Sequence, residues 1–322
     1  MKQGSVSKAD AVVLNGQGAV CGLLNGPSPS GTSFLSFKIL KNNYKIYLFK
    51  GKLNCVSYEP FSDPNYPGNV DLALKNTLSK VVEQGFKCIK TYYSQYYGRS
   101  IAEFAERYKL KIVLGIQMGQ SFTNAEIQTA IAACKSKTNI VAIYTGNENL
   151  PNDQVASSII DIKNQLKNSG CKIPFGTVQT IGYLLQNPDQ NLLNQMDWLG
   201  YNVYPFFSNL GGGSSRDSLR AQIGQLRNKY GGSFSKFFIA ETGWPSAGGN
   251  SPQGNPSTVS KAKEYADFVA GMFCSGEKAT QWMSYFIFND PTYKKNVPAY
   301  ENHFGLLDPN GKPKWNIGNL NC

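Results

Sequence analysis

Two glutamates in this chain each stand directly after a run of β-forming residues. Glu148 lies in Thr145-Gly146-Asn147-Glu148-Asn149, behind Ile140-Val141-Ala142-Ile143-Tyr144; Glu241 lies in Ala240-Glu241-Thr242-Gly243-Trp244-Pro245, behind Phe237-Phe238-Ile239. A pair of carboxyl groups is what cleavage of a glycosidic bond requires. One gives a proton to the departing sugar oxygen while the other, ionised, attacks or stabilises the anomeric carbon. Asn147 adds an amide that can hydrogen-bond the sugar 2-hydroxyl, an interaction that strengthens as the transition state forms. A lone glutamate at a strand end is more often a solvated rim charge. Two of them, each inside a specific polar and aromatic string, weigh against that reading.

For the pair to act together, the fold must bring both to one rim. Short β-rich runs are expected at Leu53–Tyr58, Phe86–Tyr92, Leu110–Gln117, Ile140–Thr145, Ile173–Val178, Trp198–Tyr204, Lys236–Glu241 and Gln281–Phe288. Between them, apolar residues recur at helical spacing. Leu74, Leu78, Val81 and Val82 follow an Asn69 cap, Thr123 with Glu126 reads as a capping box, and only a weak helix, Ile181–Leu185, separates the fifth and sixth strands. Eight βα units of this kind predict a single (β/α)8 TIM barrel, an α/β fold, over residues 53–322. Glu148 and Glu241 are 93 residues apart, three units at this spacing. Both are therefore expected at the C-terminal mouth, on the fourth and seventh strands. An open doubly wound sheet is the fold alternative, but no Gly-x-Gly-x-x-Gly follows the first strand. Residues 1–52 stand outside the alternation as an N-terminal extension with a probable hairpin, Phe34–Leu40 and Tyr44–Phe49.

Composition narrows the chemistry. The net charge is +11, with 32 basic against 21 acidic residues, but the bases are scattered, so a nucleic-acid partner is not expected. The single histidine, His303, leaves no room for a multi-histidine metal site and gives a histidine triad no supporting spacing. No metal or cofactor is expected, and no apolar run is long enough for a membrane span. The seven cysteines show no C-x-x-C pairing. Cys55 and Cys88, in strands, read as buried apolar fillers, and a Cys274–Cys322 bridge could pin the C-terminus. Residues Met1–Asp10 lack the compact apolar core of a secretion signal.

The string Glu241-Thr242-Gly243-Trp244-Pro245-Ser246 resembles the signature of glycoside hydrolase family 17, and Asn147-Glu148 with Glu241 is similar to the retaining barrel glycosidases as a clan. Further similarity runs through Lys90-Thr91-Tyr92, Asn202-Val203-Tyr204-Pro205-Phe206-Phe207 and Phe288-Asn289-Asp290…Lys294…Glu301-Asn302-His303-Phe304, the last more fungal than plant in character. The resemblance implies a retaining enzyme acting on β-1,3-glucan or laminarioligosaccharides, with Glu241 as nucleophile and Glu148 as acid and then base. It also implies Tyr92 and Tyr204 around the sugar being cleaved, and Phe207 stacked on a neighbouring one. Lys294 and Glu301 match positions near the nucleophile, where a cation would help keep Glu241 ionised; an exposed ion pair is the other reading. Ile287 and Asp290 stand where relatives often carry glutamates, and Gln179 where fungal members tend to have an acid, so the resemblance does not extend to the outer subsites. Such an enzyme is expected to be a secreted or wall-associated monomer, tending to glucanosyl transfer. An endo-β-1,3-glucanase or a non-catalytic glucan-binding wall protein is the alternative.

Overall fold

The structure, a computed structural model, describes residues 13–14, 20–21, 53–119, 123–148, 153–186, 188–211, 213–274 and 282–320. The chain divides into two compact units, Met1–Lys45 and Ile46–Cys322. In the first, Val13–Leu14 pairs antiparallel with Val20–Cys21. The hairpin expected at Phe34–Leu40 and Tyr44–Phe49 lies outside the described residues.

The second unit is built on eight strands: β1 (Leu53–Tyr58), β2 (Cys88–Thr91), β3 (Lys111–Ile116), β4 (Ile140–Asn147), β5 (Phe175–Thr180), β6 (Trp198–Asn202), β7 (Phe237–Glu241) and β8 (Trp282–Tyr285). They are hydrogen-bonded in the order β7-β6-β5-β4-β3-β2-β1-β8, every pair parallel. The ring closes at the rim, where Thr242 bridges Tyr285 and the Phe286 N–H donates to the Thr242 carbonyl (2.8 Å). This is the (β/α)8 barrel that the sequence predicts. β5 begins at Phe175 rather than Ile173 because Pro174 has no N–H to give the ladder.

Helices α1 (Val70–Glu83), α2 (Ile101–Arg107), α3 (Thr123–Ser136), α4 (Asp153–Asn168), α5 (Ile181–Leu185), α6 (Gln190–Gln195), α7 (Ser215–Tyr230) and α8 (Val259–Cys274) fill the connections. α1 starts as expected, with the Asn69 side chain accepting the Leu72 N–H at 3.1 Å. Its Val82 is 42 % exposed, however, one position off the apolar stripe of Leu74, Leu78 and Val81. Glu126 of the expected Thr123–Glu126 capping box makes a longer-range contact. Glu126 is fully buried and its carboxylate accepts the Ser94 N–H (2.6 Å), tying α3 to the loop after β2.

Alternation along the strands separates two apolar layers. Leu74, Ile89, Ile112 and Ile143 belong to the layer between strands and helices, whereas Val113, Ala142, Tyr144, Val178, Trp198, Phe238 and Ala240 pack together as a separate cluster that fills the barrel. Gly176 has no side chain because Trp198 occupies the space; an added Cβ would lie 2.5 Å from its ring. Cys55 and Cys88 also face this interior, but as a disulfide rather than as free apolar fillers. Val56 pairs with Ile89 in the β1–β2 ladder, so the residue before each sits beside the other. A second bridge, Cys134–Cys171, joins the end of α3 to the approach to β5. Cys274 is disulfide-bonded; its expected partner, Cys322, lies outside the described residues. No helix among the described residues is long and apolar enough to cross a membrane.

Candidate active site

Glu241 would point into the helix layer if β7 alternated strictly, since Phe238 and Ala240 face the barrel interior. It does not, because the β6–β7 ladder slips between Tyr201 and Asn202: Tyr201 pairs with Ile239 and Asn202 with Glu241, leaving Ala240 as an extra residue. One extra residue reverses the side-chain phase and turns the carboxylate into the mouth. A similar irregularity precedes Glu148, where Tyr144 pairs with Gly176 but Asn147 with Val178. Gly146 (φ 76°) and Glu148 itself (φ 57°) are both left-handed, a conformation that a non-glycine residue seldom adopts. A Cβ on Gly146 would approach Ile159 Cδ1 to 2.7 Å, so glycine is needed on both counts. Gln179 supports the turn from beneath, donating to the Gly146 carbonyl (3.1 Å). Fully buried, the amide that stands where fungal relatives tend to have an acid is here a strut of the turn before Glu148.

The two carboxylates are held very differently. Glu241 is 4 % exposed and accepts three hydrogen bonds: Oε1 from Lys90 Nζ (2.7 Å) and Tyr92 OH (2.9 Å), Oε2 from Tyr204 OH (2.7 Å). Glu148 lies exposed at the mouth and, among the described residues, accepts one, from Asn202 Nδ2 (2.8 Å). Partial desolvation by the cleft walls, and then the negative charge of Glu241, raise its carboxyl above the ordinary carboxylate range; the Asn202 hydrogen bond and Lys90 pull the other way. Such a pair places one firmly seated anion beside one carboxyl inclined to keep its proton.

A cleft of about 420 Å³ joins the two, lined by Glu148, Glu241, Tyr204, Phe207, Lys294 and Glu301 among others. Phe207, half-buried, packs edge-on to Tyr204 with ring centroids 6.1 Å apart. Asn147 is also half-buried, and its Oδ1 lies 3.5 Å from Lys90 Nζ. All eight residues singled out from the sequence thus reach the C-terminal mouth. Lys294 lines the cleft but is not the cation on Glu241. It pairs with Glu301 at 3.1 Å, a half-buried contact, and the ammonium on Glu241 belongs to Lys90.

With the geometry in place, comparison with known proteins assigns the family. Residues 55–305 match the profile of the BtgE/BtgC glycoside hydrolase domain. The chain belongs to this family. A probable β-glucosidase btgE of Aspergillus flavus is 26 % identical over 219 residues, 64 % of this chain and 35 % of that protein. A cell surface mannoprotein of Candida albicans is 26 % identical over 212 residues, 63 % of this chain and 54 % of that one. The chain thus spans only about a third to a half of the length of these relatives. Among solved structures, the glycoside hydrolase family 17 β-1,3-glucanosyltransferase of Rhizomucor miehei superposes with a TM-score of 0.64 at 20 % identity, over 82 % of this chain and 96 % of that one. A β-1,3-glucanase and pollen allergen of Cryptomeria japonica gives 0.59 at 16 %, over 82 % and 98 %. At these identities the likeness establishes the fold.

Several residues of this BtgE/BtgC domain escape a reading by motif. Lys90 is completely buried, two positions beyond Cys88 on a strand whose alternate residues face the barrel. A lysine in that register needs an anionic partner, and that was its signal. Glu59, directly after β1, is a third carboxyl on the rim. It accepts a hydrogen bond from Tyr293 OH, and burial pushes its pKa up to about 7 against the pull of that bond and of Lys294. Asp290, which stands where relatives often carry a glutamate, is fully buried. Its Oδ1 receives Lys314 Nζ (2.7 Å) and the Gly305 N–H (2.8 Å), which pins the segment after β8. His303 belongs to the same structural knot through its carbonyl, which accepts from Ser246 Oγ (3.0 Å) and Lys314 Nζ (3.2 Å). Trp244 fixes the loop after Glu241 as expected, packed on Phe206 and donating to the Pro256 carbonyl (2.9 Å). Among the described residues no group of His, Cys, Asp and Glu could hold a metal ion.

Proposed function

We propose that the domain cleaves β-1,3-glucan with retention of anomeric configuration, through a glucosyl-enzyme on Glu241, and passes the glycosyl unit to an acceptor glucan. The observation that carries this reading is the unequal seating of the two carboxyl groups. Among the described residues, Oε1 of Glu241 already accepts two donors, whereas Oε2 accepts only Tyr204 and keeps a lone pair. Oε2 is therefore the atom that attacks the anomeric carbon. Glu148 supplies the proton to the leaving oxygen. Once Glu241 is esterified its charge is gone, and the repulsion that held the Glu148 proton disappears with it. The same carboxyl then serves as base toward the incoming hydroxyl.

A glucan 1,3-β-glucosidase among the relatives and a β-1,3-glucanosyltransferase among the structural neighbours support the substrate class. The aromatic lining of the cleft beyond Glu148 supports transfer, because a stacked acceptor sugar is held against the intermediate at high effective concentration. Water as acceptor would make the same protein an endo-β-1,3-glucanase. Retention of both carboxyl groups argues against a wall protein that only binds glucan, and the disulfides fit a secreted or wall-associated location. Incubation with laminarioligosaccharides tests the proposal directly. Products longer than the substrate mean transfer, only shorter products mean hydrolysis, and unchanged substrate refutes an active enzyme.

Two further outcomes are expected. Phe207→Ala should raise the hydrolysed share of products more than it lowers consumption of donor, since Phe207 bears no hydrogen bond to either carboxylate. An unchanged ratio of long to short products would place the acceptor elsewhere. Asn202→Ala removes a donor that favours ionised Glu148, so the Glu148 pKa rises further. The alkaline limb of the kcat/KM profile, which reports loss of that proton, should move to higher pH; a limb that stays or moves down counts against Glu148 as the acid.

A further inference from the structure

Glu59 is not needed for bond cleavage as described, yet it stands on the catalytic rim. It follows β1, whose ladder neighbours are β2 and β8, and it feels the charges of Lys294, Glu241 and Lys90. Tyr293, which donates to its Oε2, comes from the loop after β8 and directly precedes Lys294, so the Glu59–Tyr293 pair is adjacent in the chain to the Lys294–Glu301 pair that lines the cleft. The Tyr293 ring is 37 % exposed, and its packed side meets Phe61 edge-on at 5.1 Å. Phe61 in turn meets Tyr93 at 5.8 Å, a half-buried residue just past β2. A carboxylate framed by phenols and an aromatic floor is a surface suited to sugar, with an anion for hydroxyl donors and rings for the C–H faces.

The position of the acid says which part of the sugar chain would reach it. Glu148 protonates the leaving oxygen, so the leaving part of the chain runs past β4 toward β5 and β6, where Thr180 and Phe207 line the cleft. β1 and β8 lie on the other arc of the ring. What extends over them is the part of the donor that stays with the enzyme.

We propose that Glu59 and Tyr293 form a donor-side subsite that holds a glucosyl unit beyond the one being transferred. The Glu59 carboxylate accepts hydrogen bonds from its hydroxyls. In a β-1,3-linked chain each internal unit keeps its 2-, 4- and 6-hydroxyls free, and a carboxylate with one oxygen engaged by Tyr293 retains lone pairs for them. The inference rests on the function proposed above and names a substrate-binding site within it.

The test compares kcat/KM across laminarioligosaccharides from triose to hexaose for wild type, Glu59→Gln and Tyr293→Phe. In the wild type kcat/KM should climb with chain length as the subsite fills. In Glu59→Gln that climb should shrink by about tenfold, the usual scale for loss of hydrogen bonds to a charged group, and the change should appear mainly in KM. Tyr293→Phe keeps the ring on Phe61 and should flatten the climb by a smaller factor without loss of folded protein. If both variants lower all chain lengths by one common factor, the pair is only a strut for the β8 loop and the proposal is overturned. Variants with wild-type length dependence overturn it as well. A wild type that cleaves no laminarioligosaccharide would refute the function itself, an outcome separate from either.

Discussion

Glu241→Gln is expected to lower turnover of laminarioligosaccharides by about four orders of magnitude or more while leaving substrate binding in place, the scale seen when a covalent nucleophile is removed. The amide preserves shape but has no charge with which to attack. Stereochemistry makes the experiment sharper than loss of rate alone. With Glu241→Ala and added azide, the small anion must attack the anomeric carbon itself, and a single displacement gives the α-glycosyl azide. With Glu148→Ala and an activated leaving group, azide intercepts the glycosyl-enzyme, and two displacements give the β-glycosyl azide. Opposite anomers from the two variants would fix both roles; the reverse pattern would exchange them, and near-normal turnover by Glu241→Gln would remove the covalent intermediate.

Lys90→Met should be the most damaging change outside the two glutamates. The ammonium is completely buried and meets Glu241 Oε1 at 2.7 Å, so its removal strands a negative charge in the barrel mouth. Breaking one side of a buried ion pair costs about 3–5 kcal/mol, enough to lower the unfolding midpoint by several degrees in a chain of this size. The nucleophile also loses one of three donors that fix its position, so turnover should fall by about two orders of magnitude in whatever fraction stays folded. Denaturant melts and single-turnover rates separate the two effects. Undiminished stability together with normal rates would show that Lys90 is dispensable to Glu241. Lys294→Met, by contrast, breaks a half-buried pair with Glu301 and a cation–ring contact with Phe286, and should leave stability nearly intact.

That contrast shows where the sequence was legible and where it was not. Glu148 and Glu241 could be read because each follows an uninterrupted β run inside a distinctive local string, and one property, lying at a strand's C-terminal end, suffices to put them on the same rim. Lys294 and Lys90 could not be ranked that way. Which lysine meets the nucleophile depends on strand register and on which face of β2 looks inward, information spread over two strands 150 residues apart. The disulfide between Cys55 and Cys88 was hidden for the same reason, since pairing follows from the β1–β2 alignment rather than from spacing. The roles of Gln179 and Asp290 could not be read because a polar residue near the end of a strand can serve as a strut below the rim as readily as a substrate contact above it. Glu59 has no motif around it at all, and only its proximity to Tyr293 and the nucleophile's charges gives it a role.

The uneven anchoring of the two carboxyl groups has a bearing on how the domain handles successive partners. In the proposed mechanism the nucleophile, seated by three donors, fixes one trajectory along which every glycosyl unit would arrive. The acid stands on a left-handed backbone and, among the described residues, takes one amide hydrogen bond, so its side chain is less constrained than that of Glu241. Over one catalytic cycle it must address two different oxygens, that of the departing chain and that of the arriving one, which need not occupy the same point in space. A rigidly clamped acid would suit one of these at the expense of the other. Looseness at Glu148 is thus a form of tolerance. It lets a fixed point of attack serve acceptors of differing shape, and any stabilising substitution that stiffened this turn would be expected to narrow the range of acceptors before it slowed the first bond cleavage.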